Sequence, residues 1–573
     1  MYFNTDGKEE VTYDAIVIGS GISGGWAAKE LTEKGLKTIV LERGRMVKHG
    51  DYPTAGLDPW DLDLRDKLPQ EVIEKHYPKQ SRTGYTTKPA HAHFFVKDDE
   101  HPYSETKRFD WMRGYHVGGR SLMWGRQSYR LSPMDFEANA KDGIAVDWPI
   151  RYKDIAPWYS YVERFAGISG SKDGLPQLPD GEYLPPMDLN CVEKVAKERI
   201  EKAFPERNMI IGRTAHLTKP NPEIHLGRGQ CQSRNRCMRG CPYGAYFSSN
   251  SATLPAAERT GNLTIRPFSI VQSIMHDKDT GKATGVRIID TETKETYEYF
   301  AKVIFVCASA LGSTSILMQS KSEAHPNGMG NASGELGHNL MDHHFRTGAR
   351  GRFEGMEDQY YEGRRPNGIY IPRFRNLNAA TRMPGFLRGY GFQGSASRQN
   401  WMRGVKEMAM IGSDLKDELI QPGGWQMGIN GFGECLPYHE NKVTLDYDNL
   451  EQWGLPTLNM DAEFKENEME MRKDVRVTAA EMLEAAGFKD VKTYDDMSWP
   501  GLGIHEMGTA RMGRDPKTSV LNKWNQLHEV SNVYVTDGAA MTSAGCQNPS
   551  LTYMALTARA ADHAVSELKK MNL

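Results

Sequence analysis

The sequence predicts an α/β fold that opens on a Rossmann-type nucleotide-binding unit, and three observations predict it. Residues 13–42 read as strand, glycine turn, helix and strand. Residues 303–306 form an apolar run that ends on Cys307-Ala-Ser-Ala310, small residues of the kind that let a ligand approach the carboxyl end of a strand in an open sheet. Residues 345–499 are mixed, with many aromatics, glycines and methionines and no internal repeat, which suits a second domain made of a sheet covered by helices such as 463–485.

The nucleotide-binding unit is the most specific of these. The apolar run 15–18 meets Gly19-Ser-Gly21-Ile-Ser23-Gly24, a helical pattern follows, and residues 38–41 lead to Glu42 and Arg43. Gly19 permits the tight turn, Gly21 lets a pyrophosphate approach the backbone, and Gly24 lets helix and strand pack closely. The helix N-terminus faces the phosphate charge. Glu42, 18 residues after Gly24, is placed to accept from a ribose hydroxyl. The motif predicts a dinucleotide without choosing between FAD and NAD.

Composition excludes other classes. Hydrophobic residues at 39% and charged residues at 25% describe an ordinary globular protein, and a formal net charge of -3 with dispersed Lys and Arg gives no footprint for nucleic acid. No apolar stretch approaches the roughly 20 residues of a membrane span. The start MYFNTDGKEE has neither a basic n-region nor an apolar h-region, so no export signal is expected in this chain. Seven cysteines in 573 residues are far too few for a disulfide scaffold.

Residues 45–107 have little periodicity and read as a long surface excursion that lids a site or meets a partner. Residues 114–125, GYHVGGRSLMWG, press Gly118, Gly119, Ser121, Trp124 and Gly125 together in a way that suits backbone against a planar ligand. A helix is expected over 192–203, then strands over 263–274, 283–290, 297–299 and 303–306, with a hairpin turn at 277–281. Between them, Cys231, Cys237 and Cys241 are spaced C-x5-C-x3-C. Three thiolates this close on one loop converge readily on a soft metal centre. Zinc and most iron-sulfur centres want four ligands, which His225, Cys191 or Cys435 would have to complete, whereas three ligands suit a three-iron four-sulfur cluster. A disulfide or plain thiols remain the bland reading.

Near the C-terminus, His505 stands in GIHEMGTARMG, Asp537 and Gly538 follow a short strand, and Asn548, Pro549 and Thr552 stand in NPSLT. Alcohol oxidation by hydride transfer needs a base for the hydroxyl proton and a donor for the developing alkoxide. A neutral histidine is the natural base.

Taken in order, the glycine turn, GGRSLMWG, residues 147–159 and these C-terminal motifs resemble the glucose-methanol-choline (GMC) family of FAD oxidoreductases. The resemblance covers most of the chain. It implies a discontinuous Rossmann-type FAD-binding domain over 1–150, 245–340 and 500–573. A substrate-binding domain over 151–244 and 341–499 would carry an iron-sulfur loop at 230–244. It implies His505 as the base and Asn548 as its partner. It also places the adenine near Val271, ribityl and phosphate groups at Asp537 and Gly538, and the cofactor against the strand end at Ala308. Met123 stands where some members carry a histidine bonded to the flavin, so the FAD is expected to be non-covalent. The stretch 337–343, GHNLMDH, is similar to a segment that members carry for structural reasons, and no metal is assigned to it.

Within the family the layout is most similar to the large subunits of bacterial glucoside 3-dehydrogenase and gluconate 2-dehydrogenase, and the cysteine spacing to FAD-dependent glucose dehydrogenase. That likeness implies oxidation of a secondary hydroxyl, C3 of a glucoside before C1 of an aldose. It implies a 3Fe-4S relay to a cytochrome c, and periplasmic export with a small signal-bearing subunit; otherwise the chain is cytoplasmic. A flavin-only oxidase using oxygen and a flavin module without turnover are the rivals.

Overall fold

The computed structural model describes residues 12–359, 366–400, 403, 405 and 408–573. Two large sheets organise it. The first grows around β1 (Thr12–Ile18), whose run Ala15 to Ile18 is apolar without alternation because both faces are covered. β1 pairs in parallel with β2 (Thr38–Leu41) on one side and with Thr296–Val306 on the other. Leu263–Arg266 extends the parallel edge beyond β2, while Lys282–Asp290 and Ser269–Asp277 extend the other edge as an antiparallel hairpin. Val533–Val535 pairs in parallel with the last residues of Thr296–Val306. One sheet is thus assembled from stretches far apart in the sequence, and α1 (Ile22–Glu33) and Ser550–Lys569 pack together beside it.

Two strand expectations are corrected. The run 263–274 is divided at Pro267, which has no N–H to give a ladder, and Phe268, which takes φ +56°. Residues 297–299 and 303–306 belong to one strand, because Thr12 and Tyr13 of β1 continue the pairing through Phe300 and Ala301.

The second sheet has six antiparallel strands, ordered Lys489–Asp495, His343–Phe353, Trp425–Glu434, Tyr390–Arg398, Ile369–Ile371 and Ile210–Ile211. Trp425, Met427 and Ile429 alternate with outward residues, and their face packs under the helices Glu466–Ala485 and Cys191–Ala203 through Met471, Val475, Ala479 and Met482. Phe392 points into that apolar layer, so Gln393 points the opposite way.

A bulge lies where Gly431 faces Thr347 but Gly433 faces His344, leaving two residues of one strand opposite one of the other. Arg346, inside it, has φ +58°. The extra residue reverses the alternation. His344 therefore meets Met471 Sδ at 3.2 Å on the helix side, and His343 is aimed away from the helices.

The fold is α/β, a mostly parallel sheet that carries the glycine turn and a second, antiparallel sheet covered by helices. Among the described residues no helix is long and apolar enough to cross a membrane.

Candidate active site

A single cavity runs from the glycine turn to the C-terminal motifs. Gly19, Gly21, Ser23, Glu42 and Arg43 line it together with Ser121, Met123, Trp124, Gly125, Val271, Ala308, His505, Asp537, Gly538 and Asn548. Gly119 lines it as well. The excursion 45–107 contributes Tyr85, Phe95 and Pro102 to the wall, so part of it closes the site.

The glycine turn is built for an anion. α1 begins at Gly21 with no side-chain cap and no acidic residue in its first turn, which leaves its first N–H groups without a side-chain acceptor. A Cβ on Gly21 would meet nothing within 4 Å, so the space beside it is open cavity; the same holds at Gly125. Gly19 takes φ +90° and lies against the Cys307 carbonyl. These features suit a pyrophosphate, and the buried Tyr553 hydroxyl, which has no protein partner, lines the same cavity.

Glu42 is more committed than its position suggested. It accepts from the Ser20 backbone N–H at 3.1 Å, the Ser20 hydroxyl at 2.5 Å and the Gly44 N–H at 3.0 Å. Burial raises its pKa, against the lowering effect of those donors. The carboxylate therefore braces the glycine turn as well as facing the cavity. Arg43 is held by Glu451 at 2.7 Å and lies over the Tyr115 ring.

Four expected cofactor residues stand behind the lining. An added Cβ on Gly24 would run into the Gly19 carbonyl, and one on Gly118 into the Asn250 side chain. Gly118 instead donates its N–H to the Ser20 hydroxyl at 2.9 Å. Pro549 caps the helix Ser550–Lys569, and Thr552 bonds Tyr159 at 2.8 Å. None of the four is among the residues that line the cavity.

His505 is half-buried among charges and rings. Its Nδ1 lies 2.7 Å from Nδ1 of His343, whose Nε2 lies 2.6 Å from the Gly545 carbonyl. Burial, then His343 and the Arg120 guanidinium, hold the His505 pKa well below its ordinary value. Arg120 is itself paired with Glu506 at 2.7 Å and reaches the Ser309 hydroxyl at 2.9 Å. Asn548 accepts from Gln393 at 2.6 Å through its amide oxygen, which leaves its NH₂ as donor. Asp537 accepts from Ser313 and the Ala539 N–H, and burial pushes its pKa up to about 6.

Sequence reasoning missed His343, Gln393, Arg120, Glu506 and Tyr553. His343 and Gln393 come from the other sheet, and only the pairing register brings them here. Cys546, beside Asn548, is buried and its thiol is pushed up to about 12 by burial, which suits a small filler.

The cysteine loop lies outside the cavity. Cys231, Cys237 and Cys241 are half-buried free thiols, and Cys231 is raised by burial and by the other two. Among the described residues no group of three or more His, Cys, Asp or Glu side chains is placed to hold a single metal ion. His225 uses one ring nitrogen on the Asn221 N–H and the other on the Arg164 carbonyl, so it does not complete the loop. Buried His216 instead places Nε2 at 3.7 Å from Cys237 Sγ. The loop arginines bond the excursion, Arg234 to the Ala55 carbonyl and Arg236 to that of Gly56.

Two GMC oxidoreductase family profiles match residues 13–345 and 437–557, most of the chain. The protein belongs to the GMC oxidoreductases. A 2-methyl-1,2-propanediol dehydrogenase of Mycolicibacterium austroafricanum is 29% identical over 571 residues, covering 96% of this chain and 94% of that one. The fructose dehydrogenase large subunit of Gluconobacter japonicus is 25% identical, covering 98% and 99%. A formate oxidase structure from Aspergillus oryzae superposes with a TM-score of 0.62 at 14% identity, covering 98% of this chain and 100% of that one, a likeness of fold.

This GMC oxidoreductase uses FAD and acts on alcohol or sugar CH–OH groups. Met123 lines the cavity and offers no nitrogen for a flavin bond. Acid precipitation of the yellow protein is expected to leave its flavin in the supernatant, which absorbance of the two fractions checks.

Proposed function

We propose that this GMC oxidoreductase is a sugar dehydrogenase that oxidises a secondary hydroxyl, with C3 of a glucoside as the first substrate to try and C1 of an aldose the second. The observation that carries the reading is that a half-buried histidine whose pKa is held low and an asparagine whose amide oxygen is already engaged by Gln393 line the same cavity as the glycine turn. FAD, when bound, supplies the two-electron acceptor. Asn548 donates to the substrate oxygen and steadies its developing negative charge. His505 takes the hydroxyl proton as the hydride leaves carbon. Arg120, paired with Glu506, adds to the lowering of the His505 pKa and so favours the unprotonated base.

The proposal extends to electron transfer. Cys231, Cys237 and Cys241 would hold a three-iron four-sulfur cluster, which would supply one-electron chemistry toward a cytochrome c. What supports this is the donor set, three thiols on one loop that interact with one another, and the cluster is wider than a single ion, so its ligands stand further apart than those of one metal. Met238 of this loop also packs on an apolar cluster that includes Met123 of the cavity wall. A small subunit carrying an export signal and a periplasmic location belong to the same reading.

Cys237→Ser is expected to retain sugar-driven flavin reduction while losing iron, acid-labile sulfide and transfer to cytochrome c. Unchanged iron and unchanged transfer would defeat the relay. Hydrogen peroxide released in step with sugar oxidation would point to the oxidase instead.

A further inference from the structure

We infer that His343 is a positioning residue that holds His505 in its Nδ1–H tautomer, so that the lone pair on Nε2 of His505 is the one presented to the substrate hydroxyl. The inference rests on the reading of His505 as the base. It comes from a chain of two hydrogen bonds whose far end has only one possible polarity.

A carbonyl oxygen accepts and never donates, so the 2.6 Å contact with Gly545 places a proton on Nε2 of His343. A neutral imidazole carries one proton, which leaves Nδ1 of His343 bare. The 2.7 Å contact with His505 then requires the hydrogen to come from Nδ1 of His505. His505, neutral in turn, has its lone pair on Nε2. The alternative polarity would make His343 an imidazolium, and burial holds its pKa at about 4. The two rings lie 4.9 Å apart between centroids at 81°, an edge-on geometry that suits an in-plane nitrogen contact.

The backbone fixes this pair of rings. Asp342 accepts from the His343 and His505 N–H groups through one carboxylate oxygen, at 2.8 and 3.0 Å, and from Gly501 and Gly503 through the other, at 2.8 and 3.0 Å. One buried carboxylate therefore ties the strand that bears His343 to the loop that bears His505. The bulge at Arg346 completes the device, since without the extra residue His343 would face the helices.

In the reaction the substrate O–H bond breaks and an Nε2–H bond forms, turning His505 into an imidazolium. Its Nδ1–H, already donated to His343, becomes a charge-assisted bond and strengthens as the positive charge develops. His343 thereby acts through His505 without touching substrate.

The test is ¹⁵N spectroscopy of the histidine-labelled holoenzyme, with the His505 signals identified by their loss in His505→Ala. The expected spectrum shows a protonated Nδ1 and a bare Nε2 in His505; a protonated Nε2 overturns the inference. His343→Leu removes the acceptor and is expected to slow anaerobic flavin reduction at least about tenfold at unchanged FAD content. His343→Gln, whose amide can both accept from His505 and donate to Gly545, is expected to recover most of the rate. A His343→Leu variant that reduces at the wild-type rate overturns the inference, as does a Gln variant no faster than Leu. If His505→Ala itself reduces normally, the base assignment fails whatever the tautomer; if it is inactive and the tautomer is reversed, only the role of His343 fails.

Discussion

His505→Ala is expected to slow sugar-driven flavin reduction by at least about 10²-fold while the protein keeps its FAD. The loss follows from the geometry, because His505 lines the cavity with Asn548, whereas His343, whose Nδ1 the substitution would free, is not among the residues that line it. FAD retention follows because the bonds that brace the anion-binding turn and Glu42 come from Ser20 and Gly44, not from His505. The same burial dictates the pH dependence. A base whose pKa is held well below 6.5 remains unprotonated as the pH falls through that value. Flavin reduction by the wild type should therefore stay level through pH 6.5 and decline only at more acidic pH. Rapid-mixing absorbance measurements without oxygen check both expectations, and a decline centred at 6.5 or above would contradict the depressed pKa.

Gly24→Ala is expected to give protein almost devoid of flavin. The added Cβ would strike the carbonyl oxygen and carbon of Gly19, which are backbone atoms and have no rotamer to change. Gly19 is the residue at φ +90° that aims the turn, and its own position is pinned against Cys307. Relief requires α1 to move away from β1, which costs on the order of 1–3 kcal/mol and opens the phosphate site. Gly56→Ala is a control of the same size, since a Cβ there would meet nothing within 4 Å. The ratio of flavin to protein absorbance, read alongside the yield of folded protein, distinguishes loss of the cofactor from loss of the fold.

The nucleotide-binding unit was legible in sequence because it is local: strand, turn, helix and acid fall within 30 residues, and each glycine has a separate steric reason. His505 and Asn548 were legible through motifs rather than through periodicity. What escaped was set by pairing between distant strands. Nothing near Gln393 marks it as the partner of Asn548, 155 positions away, because that contact depends on the register of Tyr390–Arg398. His343 stood in a histidine pair that suggested either a metal or plain structure, and a one-residue bulge decides which of the two rings meets His505. Glu42 was read for the ribose, yet three donors from its own turn already engage it, a local competition that spacing does not reveal. The division at Pro267 is visible in the residue itself, although the apolar pattern continues across it.

The most direct measurement of the central claim is anaerobic titration of the purified yellow protein with glucosides, free aldoses, fructose and a vicinal diol, following the flavin absorbance. The account predicts that at least one sugar bleaches the flavin completely, that His505→Ala stays yellow over the same interval, and that the product carries a new carbonyl at the oxidised carbon. A protein that stays yellow with every alcohol and sugar, although its FAD is reduced by dithionite, would contradict it.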